Sequence, residues 1–299
     1  MRIGIHQHVF TKKLGAENLD ILDRIRGLGF DSLDVNVRAL DLPTAALIRG
    51  RADALGMRLM GGGSLPRDKE LLSDLPEKRR EAIDYMKELV RRVHELGSTF
   101  YGGIVYAPFS RFTGQAPTAV ERERSAEGLR EVARYAQGFG ISVGLEPANR
   151  YEAYLVNTVA DALHLADAAG EKNIGILFDT FHCSIEERSA YGAITAAGRR
   201  LLHVHVSGNN RGTPGGDQIH WDDVFRGIRD AGFDGSITIE GFVDASADVA
   251  AGACIWRKLA PGPQEMASAG HAFIATMLEK YGLPRDGVPT AAAGERRGR

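Results

Sequence analysis

The sequence predicts an α/β protein built as a single (β/α)8 TIM barrel. Short apolar runs alternate with longer amphipathic stretches from one end of the chain to the other, and eight such runs can be picked out. The polar residues that could carry chemistry gather at the C-terminal ends of the later runs. Alternation alone would also suit a doubly wound open sheet. The count of eight and the polar strand ends favour closure, because a barrel carries its chemistry at that face. A length of 299 residues fits one barrel, which needs about 250 residues, as well as it fits two average domains.

The strand candidates are residues 2–6, 31–37, 57–61, 99–105, 141–146, 174–179, 201–206 and 235–240. Helical patterns lie between them. In the clearest, Ala82, Met86, Leu89, Val93 and Leu96 follow at steps of four, three, four and three, which places them on one helical face. Gly29, Gly97, Gly140, Gly170 and Gly232 each close a helical pattern just before a strand, where a C-cap glycine belongs. Strands alternating with helices imply parallel pairing through right-handed crossovers. No linker divides the chain, so residues 1–282 are expected to form the barrel. Residues 283–299, rich in Pro, Gly, Ala and Arg, are expected to form a flexible tail. The Ala-rich stretch from Val243 to Ala260 follows the last strand and is placed to cover the barrel mouth.

Bulk properties narrow the function. With 37 Lys and Arg against 39 Asp and Glu, the formal net charge is −2, which gives no reason to expect nucleic acid or an anionic membrane as partner. No run approaches the ~18 apolar residues of a membrane span. Two cysteines, Cys183 and Cys254, make no disulfide framework or metal pair, and the chain enters Ile3-Gly4-Ile5 without a signal-like segment. A cytoplasmic protein is expected.

Four consecutive strands end in a potential metal ligand: Glu146, Asp179, His205 and Glu240. One acid at a strand end is ordinarily a helix N-cap or a solvated turn. Four in succession, each after a run that should be buried, point to one shared site, because closure turns the strand ends toward one mouth. Two Glu, one Asp and one imidazole, with no thiolate, suit Mn²⁺, Mg²⁺ or Co²⁺ better than tetrahedral zinc. Of the two histidines in strand seven, His205 lies nearer the end and is expected to face the mouth. His203 is expected on the opposite face as a packed or supporting histidine.

These residues sit in longer stretches. Gly144-Leu145-Glu146-Pro147-Ala148-Asn149-Arg150-Tyr151-Glu152 resembles the glutamate motif of the D-tagatose and D-allulose (D-psicose) 3-epimerases. Phe178-Asp179-Thr180-Phe181-His182 and the residues to Glu187 are similar to their aspartate motif. His203-Val204-His205 with Asn210-Arg211-Gly212 resembles the histidine–arginine motif, Ile239-Glu240-Gly241-Phe242 the last glutamate motif, and Ile255-Trp256-Arg257 a downstream signature. The resemblance runs from strand one to the C-terminal helix and is densest over residues 140–260. It implies one divalent ion per subunit, Mn²⁺ first, held by Glu146, Asp179, His205 and Glu240. It also implies substrate contacts from Glu152, His182 and Arg211, and a homodimer or homotetramer. The chain departs from the family at Ser207-Gly208, where many members carry Gly-Glu, and at Gly61-Gly62-Gly63 and His6-Gln7-His8.

The resemblance implies epimerisation at C3 of a free ketose of the D-tagatose, D-fructose, D-allulose or L-ribulose class, through a cis-enediolate. Glu146 and Glu240 end strands on either side of Asp179 and His205, which makes them the natural pair of acid/bases. An aldose–ketose or hydroxypyruvate-type isomerase, or an epimerase of a sugar phosphate, would use the same metal site. An abasic-site endonuclease would need a histidine-rich metal cluster and a basic groove, both missing from this sequence. A non-catalytic sugar-binding barrel would have no use for two glutamates.

Overall fold

A computed structural model describes residues 1–245 and 252–286. Eight parallel strands close into a barrel in sequence order: β1 (Arg2–His6), β2 (Ser32–Asn36), β3 (Arg58–Gly62), β4 (Phe100–Gly103), β5 (Ser142–Leu145), β6 (Ile174–Asp179), β7 (Leu201–Val206) and β8 (Ser236–Ile239). Closure comes from β1 pairing with β8, with Ile3 opposite Ile237 and Ile5 opposite Ile239. Every strand expected from the sequence is present, four of them trimmed by a residue or two at the ends and β3 shifted by one residue. The expected 99–105 contracts to Phe100–Gly103, for example, because Gly103 turns to φ 134.

The helices are α1 (Asp20–Gly27), α2 (Leu42–Leu55), α3 (Pro76–Glu95), α4 (Ala119–Gln137), α5 (Val159–Ala169), α6 (Thr180–Glu186), α7 (Ala190–Ala197), α8 (Trp221–Asp230) and α9 (Pro263–Lys280). The five residues expected on one face at α3, Ala82 to Leu96, are all buried. Thr118 and Glu121 form a capping box at the start of α4, and Thr158 and Asp161 form another at α5. The five anticipated C-cap glycines all adopt positive φ, between 66° and 94°. Among the described residues no helix is long and apolar enough to cross a membrane.

Inside the barrel, Met60, Phe100 and Leu177 pack as a separate apolar layer with Leu202 against it. The Phe100 ring lies over the backbones of Gly102 and Gly144, where an added Cβ would come within 2.4 Å and 2.5 Å of it. Two glycines therefore let one aromatic ring plug the lower barrel, as stacked layers of inward side chains do in this architecture. Above the plug the lining turns polar, and His203 packs against Phe100 with ring centroids 5.1 Å apart.

At the opposite end, residues expected to begin the tail are tied down. The Met1 ammonium donates to Asp286 Oδ1 at 2.9 Å and to the Pro284 carbonyl at 2.8 Å, and Arg2 pairs with Asp286 at 2.8 Å. Residues 287–299 lie outside the described residues, as do 246–251 of the stretch expected over the mouth. The described parts of that stretch are pinned at its base, where Leu259 N donates to the Val243 carbonyl at 2.9 Å, and Gly252 and Ala253 border the mouth.

Candidate active site

Strand ends β5 to β8 converge as the barrel rule requires. The ligand-type atoms of Glu146, Asp179, His205 and Glu240 lie within 4.8 Å of one another. Glu146 directly follows β5. Its amide donates to the Gly103 carbonyl at 3.1 Å, and its own carbonyl accepts from the Tyr106 hydroxyl at 3.0 Å. Glu240 follows β8, with its amide bonded to the Val206 carbonyl at 3.0 Å. Between them stands His205, with Nδ1 3.4 Å from Glu146 Oε1 and 3.3 Å from Glu240 Oε2.

Asp179 unites the two roles an acid can have at a strand end. Its Oδ1 accepts from the Phe181 and His182 amides at 2.7 Å and 3.0 Å and so caps α6. Its Oδ2 faces the cluster and accepts from Arg211 Nη1 at 2.7 Å. The same Nη1 donates to Glu240 Oε2 at 2.8 Å. Arg211 sits in a tight loop at φ 64, its guanidinium 4.2 Å above the Phe181 ring. Its amide donates to the Gly208 carbonyl, and its carbonyl accepts from Phe242 N.

His182 Nδ1 accepts from the Asn149 amide at 3.2 Å and lies 2.8 Å from Asn149 Nδ2. Its Nε2 lies 3.0 Å from Arg211 Nη2. Arg211 can only donate, so the guanidinium and the His182 ring are joined at one wall of the mouth. Glu152 borders the mouth cavity of about 410 Å³ beside His182 and Arg211, and accepts from Asn149 Nδ2 at 3.0 Å.

Burial and the charge of Glu240 raise the Glu146 carboxyl above its ordinary range. Burial acts the same way on Glu240, but the charges of His205 and Arg211 outweigh it and hold that carboxyl well below. Burial disfavours a charged His205, yet the charge of Glu240, the hydrogen bond with Asp34 and the neighbouring Glu146 carboxylate push its pKa well up. Two neighbouring carboxyls with opposed shifts suit an acid and a base.

A cavity of about 650 Å³ opens elsewhere, lined by Glu70, Arg111, Glu121 and Tyr154, but its polar groups satisfy each other. Arg111 pairs with Glu70 at 2.8 Å, and the Tyr154 hydroxyl donates to Glu121 at 2.6 Å. The convergence of unsatisfied groups is at the barrel mouth.

Known proteins resemble this chain in sequence and in fold. The family model for the xylose isomerase-like TIM barrel matches residues 22–273. A D-psicose 3-epimerase of Enterocloster bolteae is 31% identical over 89% of this chain and 91% of its own length. The chain is a ketose 3-epimerase by family. It is therefore an enzyme of the isomerase class. Among solved ketose 3-epimerases, a D-psicose 3-epimerase from Clostridium cellulolyticum H10, determined with D-tagatose, superposes with a TM-score of 0.87 at 28% identity. It covers 93% of this chain and 99% of that one. An L-ribulose 3-epimerase does so with a TM-score of 0.87 at 27% identity, over 96% and 99%.

One expectation about this epimerase is corrected. His203 does not face away from His205. Residues two apart on a strand share a face, and both rings point inward, with centroids 5.0 Å apart. Both donate from Nε2 to one carboxylate oxygen, Asp34 Oδ2, at 2.6 Å and 3.0 Å. Burial works to raise Asp34, but the two imidazoles hold it far below the carboxylate range. Sequence reasoning passed over Asp34, although an acid inside the strand Ser32-Leu33-Asp34-Val35-Asn36 runs against β-propensity and was a signal.

The departures from the epimerase pattern also find reasons. Gly61 backs onto α3, where a Cβ would meet Val93 at 2.6 Å, whereas Gly62 and Gly63 border the mouth. His6 Nδ1 accepts from the His8 amide at 3.1 Å. His8 stacks on Phe242 at 4.4 Å and donates from Nε2 to the Gly241 carbonyl at 2.9 Å. The two half-buried imidazoles therefore form a wall of the mouth, with ring centroids 4.0 Å apart. Burial lowers the pKa of both.

Proposed function

We propose that the protein epimerises a free ketose at C3, taking the D-tagatose, D-fructose, D-allulose or L-ribulose class. The reaction would run at one divalent metal ion held by Glu146, Asp179, His205 and Glu240. The observation that carries this is the pair of carboxylates flanking His205 Nδ1 at 3.4 Å and 3.3 Å, with the Arg211 guanidinium and the His182 ring beside them. The residues fit a cation. Glu146 Oε1 and His205 Nδ1 are buried without a hydrogen-bond partner, and both belong to the set. Three carboxylates and one imidazole favour Mn²⁺, with Co²⁺ and Mg²⁺ as alternatives.

What the cation would supply is Lewis-acid polarisation of the substrate carbonyl and charge neutralisation beside it. The rest falls to the chain. Epimerisation removes the C3 proton from one face of the sugar and returns one to the other face, by way of a planar cis-enediolate. Glu146 and Glu240 are the two acid/bases, one ionised and one protonated at the start, with the roles exchanged at the end. His182 and Arg211 donate to substrate oxygens, and Glu152 accepts from a hydroxyl. Cytoplasmic action and assembly into a dimer or tetramer belong to the same proposal, the assembly checked by sedimentation.

Incubation with D-fructose, D-tagatose and L-ribulose in the presence of Mn²⁺ tests the reading. C3 epimers are the expected products, and formation of aldoses alone would replace it with an aldose–ketose isomerase. A phosphorylated ketose is the second reading, favoured by Lys12 and Arg38, which border the mouth. Parallel assays with D-fructose and D-fructose 6-phosphate separate the two.

A further inference from the structure

Behind the proposed metal ligands stands a carboxylate that none of the chemistry above uses. Asp34 lies inside the barrel on β2, 3% exposed, and its carboxylate accepts hydrogen bonds from side chains of β7 and β8. Oδ2 accepts from His203 Nε2 at 2.6 Å and His205 Nε2 at 3.0 Å, while Oδ1 accepts from the Thr238 hydroxyl at 2.8 Å. Both oxygens are engaged, so the carboxylate cannot rotate. His203 presses from the layer below, packed on Phe100.

We propose that Asp34 is a positioning residue that orients His205 for the metal. By accepting the Nε2 hydrogen it fixes which ring nitrogen carries the proton and turns the Nδ1 lone pair toward Glu146 and Glu240. An imidazole held in this way by a carboxylate is also a more basic ligand. Thr238 and His203 hold Asp34 in turn, which makes a chain of buried hydrogen bonds from β8 and β7 through β2 to the mouth. The inference rests on the metal reading above.

A rival use of the same atoms exists, since Asp34, His203 and His205 are also close enough to hold an ion themselves. Two features oppose it. Both Nε2 atoms already stand at hydrogen-bond distance from Oδ2. An ion there would also engage His205 through the nitrogen remote from Glu146 and Glu240.

The test is Mn²⁺ calorimetry on metal-free wild type, Asp34→Asn and Thr238→Val, with thermal melts of the same metal-free proteins. Wild type is expected to bind one Mn²⁺ per chain. Asp34→Asn should bind about 10- to 100-fold more weakly, the usual cost of losing such a partner. At saturating Mn²⁺ its KM for the ketose should be unchanged, which a general loss of structure would not leave intact. Thr238→Val should weaken binding at least about fivefold, since it removes a hydrogen bond to a charged carboxylate; if Asp34→Asn does not fold, wild-type affinity in Thr238→Val overturns the proposal instead. A folded Asp34→Asn with Mn²⁺ affinity within about twofold of wild type overturns the proposal, since a lost partner should cost far more. So does a second ion in wild type that Asp34→Asn loses, because Asp34 would then be a ligand. A wild type that binds no divalent ion instead fails the metal reading itself.

Discussion

Arg211 and Asp179 form a buried ion pair of 2.7 Å, and the same guanidinium nitrogen reaches Glu240 at 2.8 Å. One cation therefore already pairs with two of the three carboxylates proposed to hold the metal. Removing it should separate substrate binding from metal binding. Arg211→Met is expected to lower kcat/KM about 10- to 100-fold, the range for losing a hydrogen bond to a charged group. Mn²⁺ affinity should stay equal or tighten, because a competing positive charge is gone. Steady-state kinetics and calorimetry check this, and a parallel loss of Mn²⁺ affinity would show Arg211 to be structural.

The Phe100 plug sets a stability prediction. Phe100→Ala should cost about 3–5 kcal/mol in urea unfolding, as for other buried aromatic truncations. Gly144→Ala should cost about 1–3 kcal/mol through overpacking, since its Cβ would meet the Phe100 ring at 2.5 Å. The double variant Phe100→Leu/Gly144→Ala should recover part of that loss. If Gly144→Ala alone is neutral, the ring does not plug the barrel as described.

Met1 and Asp286 clasp the bottom of the barrel, and the clasp should respond to pH. The N-terminal ammonium lowers the Asp286 carboxyl from its ordinary value. A depressed folded pKa stabilises above the unfolded value, and the stabilisation is lost as pH falls through the folded one. Asp286 is 42% exposed, so solvent screening limits the effect to about 0.5 kcal/mol. Asp286→Asn should melt slightly below wild type at pH 7, and the gap should close at pH values under the ordinary carboxylate range. A gap that persists in acid would mean the contact is not ionic.

Removal of divalent ions should abolish turnover and lower the melting temperature. Added Mn²⁺ should restore both, with a melting shift that grows with free metal concentration, as linkage requires. Activity that survives exhaustive chelation would contradict the proposed cation.

The barrel could be read from the sequence because each strand is an apolar run closed off by turn glycines, such as Gly97 before β4 and Gly140 before β5. The four convergent ligand-type residues were equally open to reading, since Glu146, Asp179, His205 and Glu240 each sit where a strand ends. Asp34 was not, because its partners His203 and His205 lie 169 and 171 residues away, and only closure of the barrel brings β2 opposite β7. The inward face of His203 did follow from the two-residue period of a strand, and the expectation of an outward ring misapplied that period. The clasp of Asp286 onto Met1 was hidden for the same reason as Asp34, since it joins the two ends of the described chain.

The central claim is that two glutamates work on opposite faces of one sugar, and proton exchange in Glu146→Gln and Glu240→Gln reads this most directly. Each Mn²⁺-loaded variant would be incubated with its ketose in D₂O, and deuterium at C3 measured by mass spectrometry. Neither variant should form epimer, and each should exchange the C3 proton of one epimer only, the two variants choosing opposite epimers. Most of the wild-type turnover surviving in either variant would contradict the account.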